Sequence, residues 1–368
     1  MQGRSRRIAI RAAVTGLVLL CSGIVFAQED DPKIKGKPLS KWIEQLRGTN
    51  RGLQMRAAQA LSAAPTNLHS RIAPQVIPVL KSERENDKFV AAQVLGVYGP
   101  VSRTAVPDLL PMLGGTQYER NRAAAAKALG QILKGAEPSD EIEKITQELI
   151  RLFDDKYMDV RREAVTACGM IGLAAKSCIP ALPKRIGDAA AGNSITREAG
   201  KYEVWACGEF GPLAACHIDR LISIMHGGPV AETVEAIGKI GAVNDSVVPN
   251  IVDRMELVAT GTVIAQEGYR TPRMSREAVR EYMEKSFEAL SRFGPKSAPA
   301  ISYMVSMISA KGWERNKAYA LGALKVLGAI GPAAKEAIKP IESNCLTSSD
   351  ADIKNGAVAA LAGIRGAK

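Results

Sequence analysis

The chain has 368 residues and a formal net charge of +11, with 46% hydrophobic residues of which few are aromatic. Its length suggests two or three compact domains. An apolar content built on Ala, Leu, Ile and Val argues against a β-sandwich or a large globular core and for closely packed helices, alanine being the best helix former.

The N-terminus reads as an export signal. Arg4, Arg6, Arg7 and Arg11 form a basic stretch without acids, Ala12 to Ile24 is nearly all apolar, and Val25-Phe26-Ala27 precedes an abrupt polar turn at Gln28-Glu29-Asp30-Asp31. This three-part pattern predicts cleavage near Ala27 and a periplasmic or extracellular mature protein. The alternative is an uncleaved anchor, although the apolar run is shorter than the ~20 residues of a spanning helix. Removing residues 1–27 takes away four arginines and no acid, so +11 becomes +7. A mildly basic exported chain is a poor candidate for nucleic-acid binding. It leaves an anionic envelope polymer as one candidate partner beside a protein.

Residues 28–37 read as a linker, and Pro38 to Leu46 as an amphipathic opening helix that caps the helices after it. From there a pattern recurs: a small residue, an apolar residue, Gly or another small residue, any residue, an apolar residue, then Gly, often followed by Pro. It runs Val94-Leu95-Gly96-Val97-Tyr98-Gly99-Pro100, Ala167-Cys168-Gly169-Met170-Ile171-Gly172, Ala206-Cys207-Gly208-Glu209-Phe210-Gly211-Pro212, Ala236-Ile237-Gly238-Lys239-Ile240-Gly241, Ala289-Leu290-Ser291-Arg292-Phe293-Gly294-Pro295 and Val326-Leu327-Gly328-Ala329-Ile330-Gly331-Pro332. Weaker copies sit at Ala128-Leu129-Gly130 and Ala360-Leu361-Ala362. The closing Gly is expected to end a helix in the left-handed conformation, and the Pro prevents its continuation. The apolar positions follow the 3.6-residue period of helices with one buried stripe. Helix pairs of this kind bury their stripes only by stacking into a solenoid. The interval from Gly241 to Gly294 is longer than the others, which places a loop insertion at about residues 260–274.

These residues resemble the HEAT-repeat family, including the exported bacterial HEAT-like proteins and the repeats of phycobilisome lyases. The resemblance spans residues 38–365, leaving 366–368 as a tail. It implies an all-α fold, an armadillo-type α-solenoid of about nine helix pairs. It also implies a ladder in which a loop acid and a base on the second helix link adjacent repeats. Asp155 and Arg161 match that ladder. Lys88, Arg122 and Lys354 share the offset of Arg161, while Arg197, Arg280 and Lys317 lie one turn upstream. The loop acid is replaced by Ser82, Thr116 or Ser348, and repeat 6 has Val230 where a base is expected, so the ladder should break there.

No catalytic site or metal site emerges, and no cofactor is expected. Three histidines, His69, His217 and His226, fall in no metal-ligand spacing. The glycines follow the repeat rather than a phosphate loop. The chain is therefore expected to be a binding scaffold for an unidentified protein, not an enzyme. A polyanion-binding protein and a lyase- or chaperone-like repeat protein are the alternatives. The register places Gln93, Thr166, Trp205, Glu235, Glu288 and Lys325 on the concave line of the second helices. Trp205 is the one large aromatic on that line and so a candidate anchor. Its neighbours Thr166 and Glu235, with Gln93, Arg162 and Arg122, complete the candidate binding set.

Four cysteines form two copies of one arrangement. Cys168 precedes Gly172 by four residues and Cys178 follows it by six; Cys207 precedes Gly211 by four and Cys216 follows it by five. Each pair joins the last turn of one helix to the first turn of the next. Two readings stand: disulfides Cys168–Cys178 and Cys207–Cys216, or buried thiols acting as small hydrophobes. Cys345 has no companion.

Overall fold

The computed structural model describes residues 31–182, 194–225, 230–241, 244–260, 265–266, 269–270, 274–310 and 316–366, with the backbone alone described at 194–199, 230, 265–266 and 269–270. The segment read as an export signal, Arg197's side chain and His226 lie outside the described residues. The fold is the expected α-solenoid, with nine pairs in succession among the described residues. Repeat 1 is α1 (Leu39–Arg47) and α2 (Arg51–Ser62); repeat 2 is α3 (His69–Val76) and α4 (Glu85–Val97). Repeat 3 is α5 (Val106–Leu109) and α6 (Glu119–Ile132); repeat 4 is α7 (Asp140–Arg151) and α8 (Met158–Ile171). In repeat 5 the first arm is a 3-10 segment, Gly172–Ala181, and the second helix is α9 (Ser194–Phe210). Repeats 6 to 9 pair α10 (Ile218–Met225) with α11 (Val230–Ile240), α12 (Val247–Thr260) with α13 (Arg276–Phe293), α14 (Ile301–Ser309) with α15 (Lys317–Ile330), and α16 (Ile338–Pro340) with α17 (Ala351–Arg365).

Each second helix packs on the second helix of the next repeat, from α2 through α17. The recurring pattern explains the close approach. A Cβ at Gly130 would lie 2.5 Å from the Cα of Ala167, and one at Gly96 3.0 Å from the Cα of Ala128. The mid-pattern Gly of one repeat thus faces the small residue that opens the pattern in the next. The closing glycines all have positive φ, as expected. At Gly172, Gly294 and Gly331, however, ψ is −137°, −126° and −143°. The chain there leaves the helix in an extended positive-φ conformation rather than the left-handed helical one, and that region is open essentially to glycine alone. After Gly-Pro the next arm starts as 3-10 turns, as in Gly99–Ala105 and Gly294–Ala300. The stretch Met158–Ala181 is long and apolar enough for a membrane span by composition. Here it is two elements that turn at Gly172 and pack within the stack.

Two segments differ from the sequence reading. The expected linker carries a two-stranded hairpin, Lys33–Ile34 with Lys37–Pro38, turning at Lys35 and Gly36 with φ of 50° and 78°. Ile34 is buried and its carbonyl accepts from Trp42 Nε1 at 2.8 Å, while Asp31 accepts from the backbone and hydroxyl of Ser40. The hairpin covers α1. The insertion is likewise not without structure: Ala265–Gln266 pairs antiparallel with Tyr269–Arg270, and Met274 packs against the core.

Candidate binding groove

The second helices of repeats 1–4 form a groove of about 880 Å³ across α2, α4, α6 and α8. Its lining is regular. Counting from the small residue that opens each pattern, three rows of the repeat register face it. Five residues before come Met55, Phe89, Ala123 and Arg162; one before, Gln59, Gln93 and Lys127; three after, Ala63, Val97 and Gln131. Val97 is 51% exposed. Tyr157 and Met158 close the far end with Asp159, Arg162 and Glu163. Arg162 is held there by Asp159 at 2.9 Å and Glu163 at 3.0 Å, and its guanidinium lies 5.6 Å from the Tyr202 ring centre. Arg120 stacks on Phe89 at 4.2 Å and donates to Asn86 Oδ1 at 2.9 Å.

Of the expected binding residues, Gln93 and Arg162 line this groove. Trp205 does not. Its indole is half-buried, and its ring edge occupies the space over Gly169, which has no side chain to exclude it. The exposed anchor expected from the register is therefore corrected to an inter-repeat packing residue. Thr166 is half-buried, its hydroxyl buried without a hydrogen-bond partner among the described residues. Glu235 is taken up in a charge network: Lys285 at 2.8 Å, Lys239 at 3.0 Å, and Lys239 to Glu209 at 2.8 Å. Burial alone would raise its pKa, but hydrogen bonds from Lys285 and Lys239 outweigh that and hold the carboxyl below its ordinary value.

Arg122 does not face the groove. It is buried, and its Nε and Nη2 donate to Asp155 at 2.8 and 3.0 Å. Asp155 also accepts from the amide of Tyr157 at 2.9 Å, and Arg161 donates to the Asp155 carbonyl at 2.7 Å. The ladder thus runs forward, from the second helix of one repeat to the loop of the next. Lys88 follows it to Gln117 at 3.4 Å, and Lys317 to Asp350 and Asp352 at 2.8 and 2.6 Å. Lys354 does not act as a rung: it is exposed, with no ion pair among the described residues. Arg280 pairs with Glu284 on its own helix. The break expected at Val230 is spanned further along the helices by Glu235–Lys285. Sequence reasoning missed one rung. Gln54 occupies the ladder offset as a neutral residue and donates to buried Asp87 at 2.6 Å, which also accepts from Ser82 at 2.7 Å.

All five cysteines from Cys168 onward are free thiols in the structure. Cys168 lies against Cys178; burial first, then that contact, pushes its pKa up. Burial raises Cys207 to about 12. Cys216 is exposed, its sulfur 3.6 Å from Nε2 of His217, whose ring is fixed by the Ile179 carbonyl at 2.9 Å. His69 is likewise structural, stacked on Tyr98 and bonded to the Ala64 carbonyl at 3.0 Å. No group of three potential metal ligands comes together among the described residues.

These features define an α-solenoid of HEAT type with a groove along its second helices. Solved structures agree on the fold. Kap121p bound to Nup53p superposes with a TM-score of 0.62 at 16% identity, covering 89% of this chain and 39% of that one. Kap121p bound to Pho4p gives 0.62 at 15%, covering 89% and 39%. Importin beta gives 0.62 at 15%, covering 90% and 49%. The chain therefore spans less than half the length of these karyopherins, which are HEAT-repeat proteins. No family model and no curated protein matches the sequence.

Proposed function

We propose that this chain is an exported scaffold that takes a segment of a protein partner into the concave groove of repeats 1–4. The observation that carries the reading is the groove itself: three consecutive second helices, α2, α4 and α6, present Met55, Phe89, Val97 and Ala123 as a continuous apolar floor with a charged rim. Apolar floors with polar rims are the usual anatomy of such interfaces. Kap121p, of the same fold, is seen bound to Nup53p, Ste12p and Pho4p, which supports protein partners for the architecture. A polyanion stripe has less support, because Arg122 and Arg161 are tied into the ladder and only their neighbours Arg120 and Arg162 line the groove. Catalysis has less still: the Cys216–His217 contact does not line it. After export into an oxidising compartment, Cys168–Cys178 and Cys207–Cys216 are the pairs we expect oxidation to join.

The test is site-specific photocrosslinking in the native envelope fraction. A photoreactive residue at Gln93, in the groove, should capture a discrete protein, whereas the same residue at exposed Leu173, outside it, should not. Val97→Glu should abolish the capture. Equal capture at both positions, or capture insensitive to Val97→Glu, overturns the reading. N-terminal sequencing of the secreted protein should begin at Gln28.

A further inference from the structure

Beside the groove lies a smaller hollow of about 330 Å³, at the N-terminal ends of α2, α4 and α6. Arg120 lines both spaces, so the two lie side by side. Three arginines, Arg51, Arg84 and Arg120, stand around the hollow against two acids, Glu85 and Asp87. Both acids already hold partners. Asp87 is paired with Arg84 at 2.7 Å and accepts from Gln54 and Ser82; Glu85 is paired with Lys88 at 2.9 Å and accepts from Asn121. Arg84 directs its remaining donors to the carbonyls of Arg47 and Gly48.

Arg51 and Arg120 are different. Neither has a carboxylate at ion-pair distance among the described residues, and the Nε of Arg120 is buried without an acceptor. Their positive charges oppose one another: burial, then the charge of Arg51, lowers the pKa of Arg120, while Glu119 and Glu85 act on it only at longer range. The fork of Arg120 is nonetheless pre-set by its stack on Phe89 and its bond to Asn86. Neither α4 nor α6 has a side-chain cap at its start, so two helix N-termini add positive potential to the same space. Tyr118, 61% exposed, also lines the hollow.

We infer that the hollow is a carboxylate-binding subsite, and that the groove's protein partner carries an Asp or Glu beside its apolar residues. The inference rests on the groove reading and gives it a chemistry: an acidic side chain enters between Arg51 and Arg120 while its apolar neighbours lie along Phe89 and Val97. A guanidinium fork matches a carboxylate in two hydrogen bonds, which an apolar or basic residue at that place cannot supply.

The test uses the full-length exported protein and a displayed library of random 12-residue peptides. Selection should enrich peptides with an acid next to aromatic or aliphatic residues. Replacing that acid by its amide in a selected peptide should weaken binding about tenfold, the effect of one charge-assisted hydrogen bond. Arg51→Gln/Arg120→Gln should remove the difference between the two peptides, Arg120→Lys should retain part of it, and Glu119→Gln should enlarge it. Circular dichroism checks that each variant folds. Enriched peptides without acids, or an unchanged acid preference in the double glutamine variant, overturn the inference while leaving the groove standing if Val97→Glu abolishes binding. Failure to enrich any peptide, or binding indifferent to Val97→Glu, overturns the groove reading itself. Retention of a polyphosphate chain in preference to the acidic peptides also overturns the inference.

Discussion

Asp155→Ala tests the link between sequence, ladder and stability most directly. In the folded chain Asp155 and Arg122 side chains are 9% and 6% exposed, joined by two hydrogen bonds of 2.8 and 3.0 Å, and Asp155 also accepts from the Tyr157 amide. Removing the carboxylate leaves Arg122 as a buried cation whose remaining acceptor is the carbonyl of Gln117. Breaking one side of a buried pair costs about 3–5 kcal/mol. Because repeats touch only their neighbours, the loss should be local. Urea unfolding followed by circular dichroism should show an early transition absent from the parent protein. Hydrogen exchange should show lost protection across α6 to α8 and retained protection in α15 and α17. Arg122→Met/Asp155→Leu should recover much of the loss, since apolar replacement of a whole buried pair is often neutral. A cost below about 1 kcal/mol for Asp155→Ala, or a loss of protection spread evenly along the chain, would refute the argument.

Gly130→Ala should destabilise by about 1–3 kcal/mol in urea melts, since the added methyl meets the Cα of Ala167 at 2.5 Å and the helices must part; the gain of roughly 1 kcal/mol in helix propensity does not offset this. Trp205→Ala should cost roughly 1–3 kcal/mol, below the range for a fully buried Trp because the ring is half-buried, and should leave groove binding measured by crosslinking at Gln93 unchanged. The Glu235 network sets a pH dependence of known sign. Its folded pKa lies below the ordinary value of 4.5, so its contribution is present above that pH and is lost as pH falls through the depressed value. Hydrogen exchange in α11 and α13 should therefore rise on acidification below about pH 4.5 in the parent more than in Glu235→Gln.

The repeat was legible because its two signals are single-residue and local. A closing Gly with positive φ and a mid-pattern Gly facing an Ala both leave their mark at fixed spacing. The ladder was half legible: offset located Arg122 and Lys88, but it does not say which loop a base reaches, and it passed over Gln54 because a neutral donor at that place looks ordinary in sequence. The N-terminal hairpin was missed because strands of two residues carry no periodicity; the Lys35-Gly36 turn was the available cue. The groove was the least legible part. A single concave row was read, whereas the lining comes from three rows, at five and one before and three after the opening small residue. Trp205 illustrates the limit: it sits on the right row, yet whether a ring stands out or lies down depends on the residue across the helix interface, here Gly169.

The same three rows also explain why the groove stops where it does. In repeats 1–3 they carry Met55, Gln59, Ala63, Phe89, Gln93, Val97, Ala123 and Gln131, which have no formal charge, with Lys127 the one charged residue among them. In repeats 5–7 the equivalent places carry Lys201, Glu209, Glu235, Lys239 and Glu288, and these close on each other or on adjacent side chains: Lys201 with Glu232 at 3.3 Å, Lys239 with Glu209 and Glu235, Lys285 with Glu235, Arg292 with Glu288 at 2.7 Å. Exposed pairs of this kind add little stability. Their effect on binding is larger, because an apolar segment laid over them would strip water from charges without replacing their partners. The boundary falls at Arg162, which belongs to the floor by register and to the charged half by its bonds to Asp159 and Glu163. One backbone architecture thus presents an apolar groove and a sealed charged face in succession, and the choice between them is made by side chains at positions the solenoid itself leaves free.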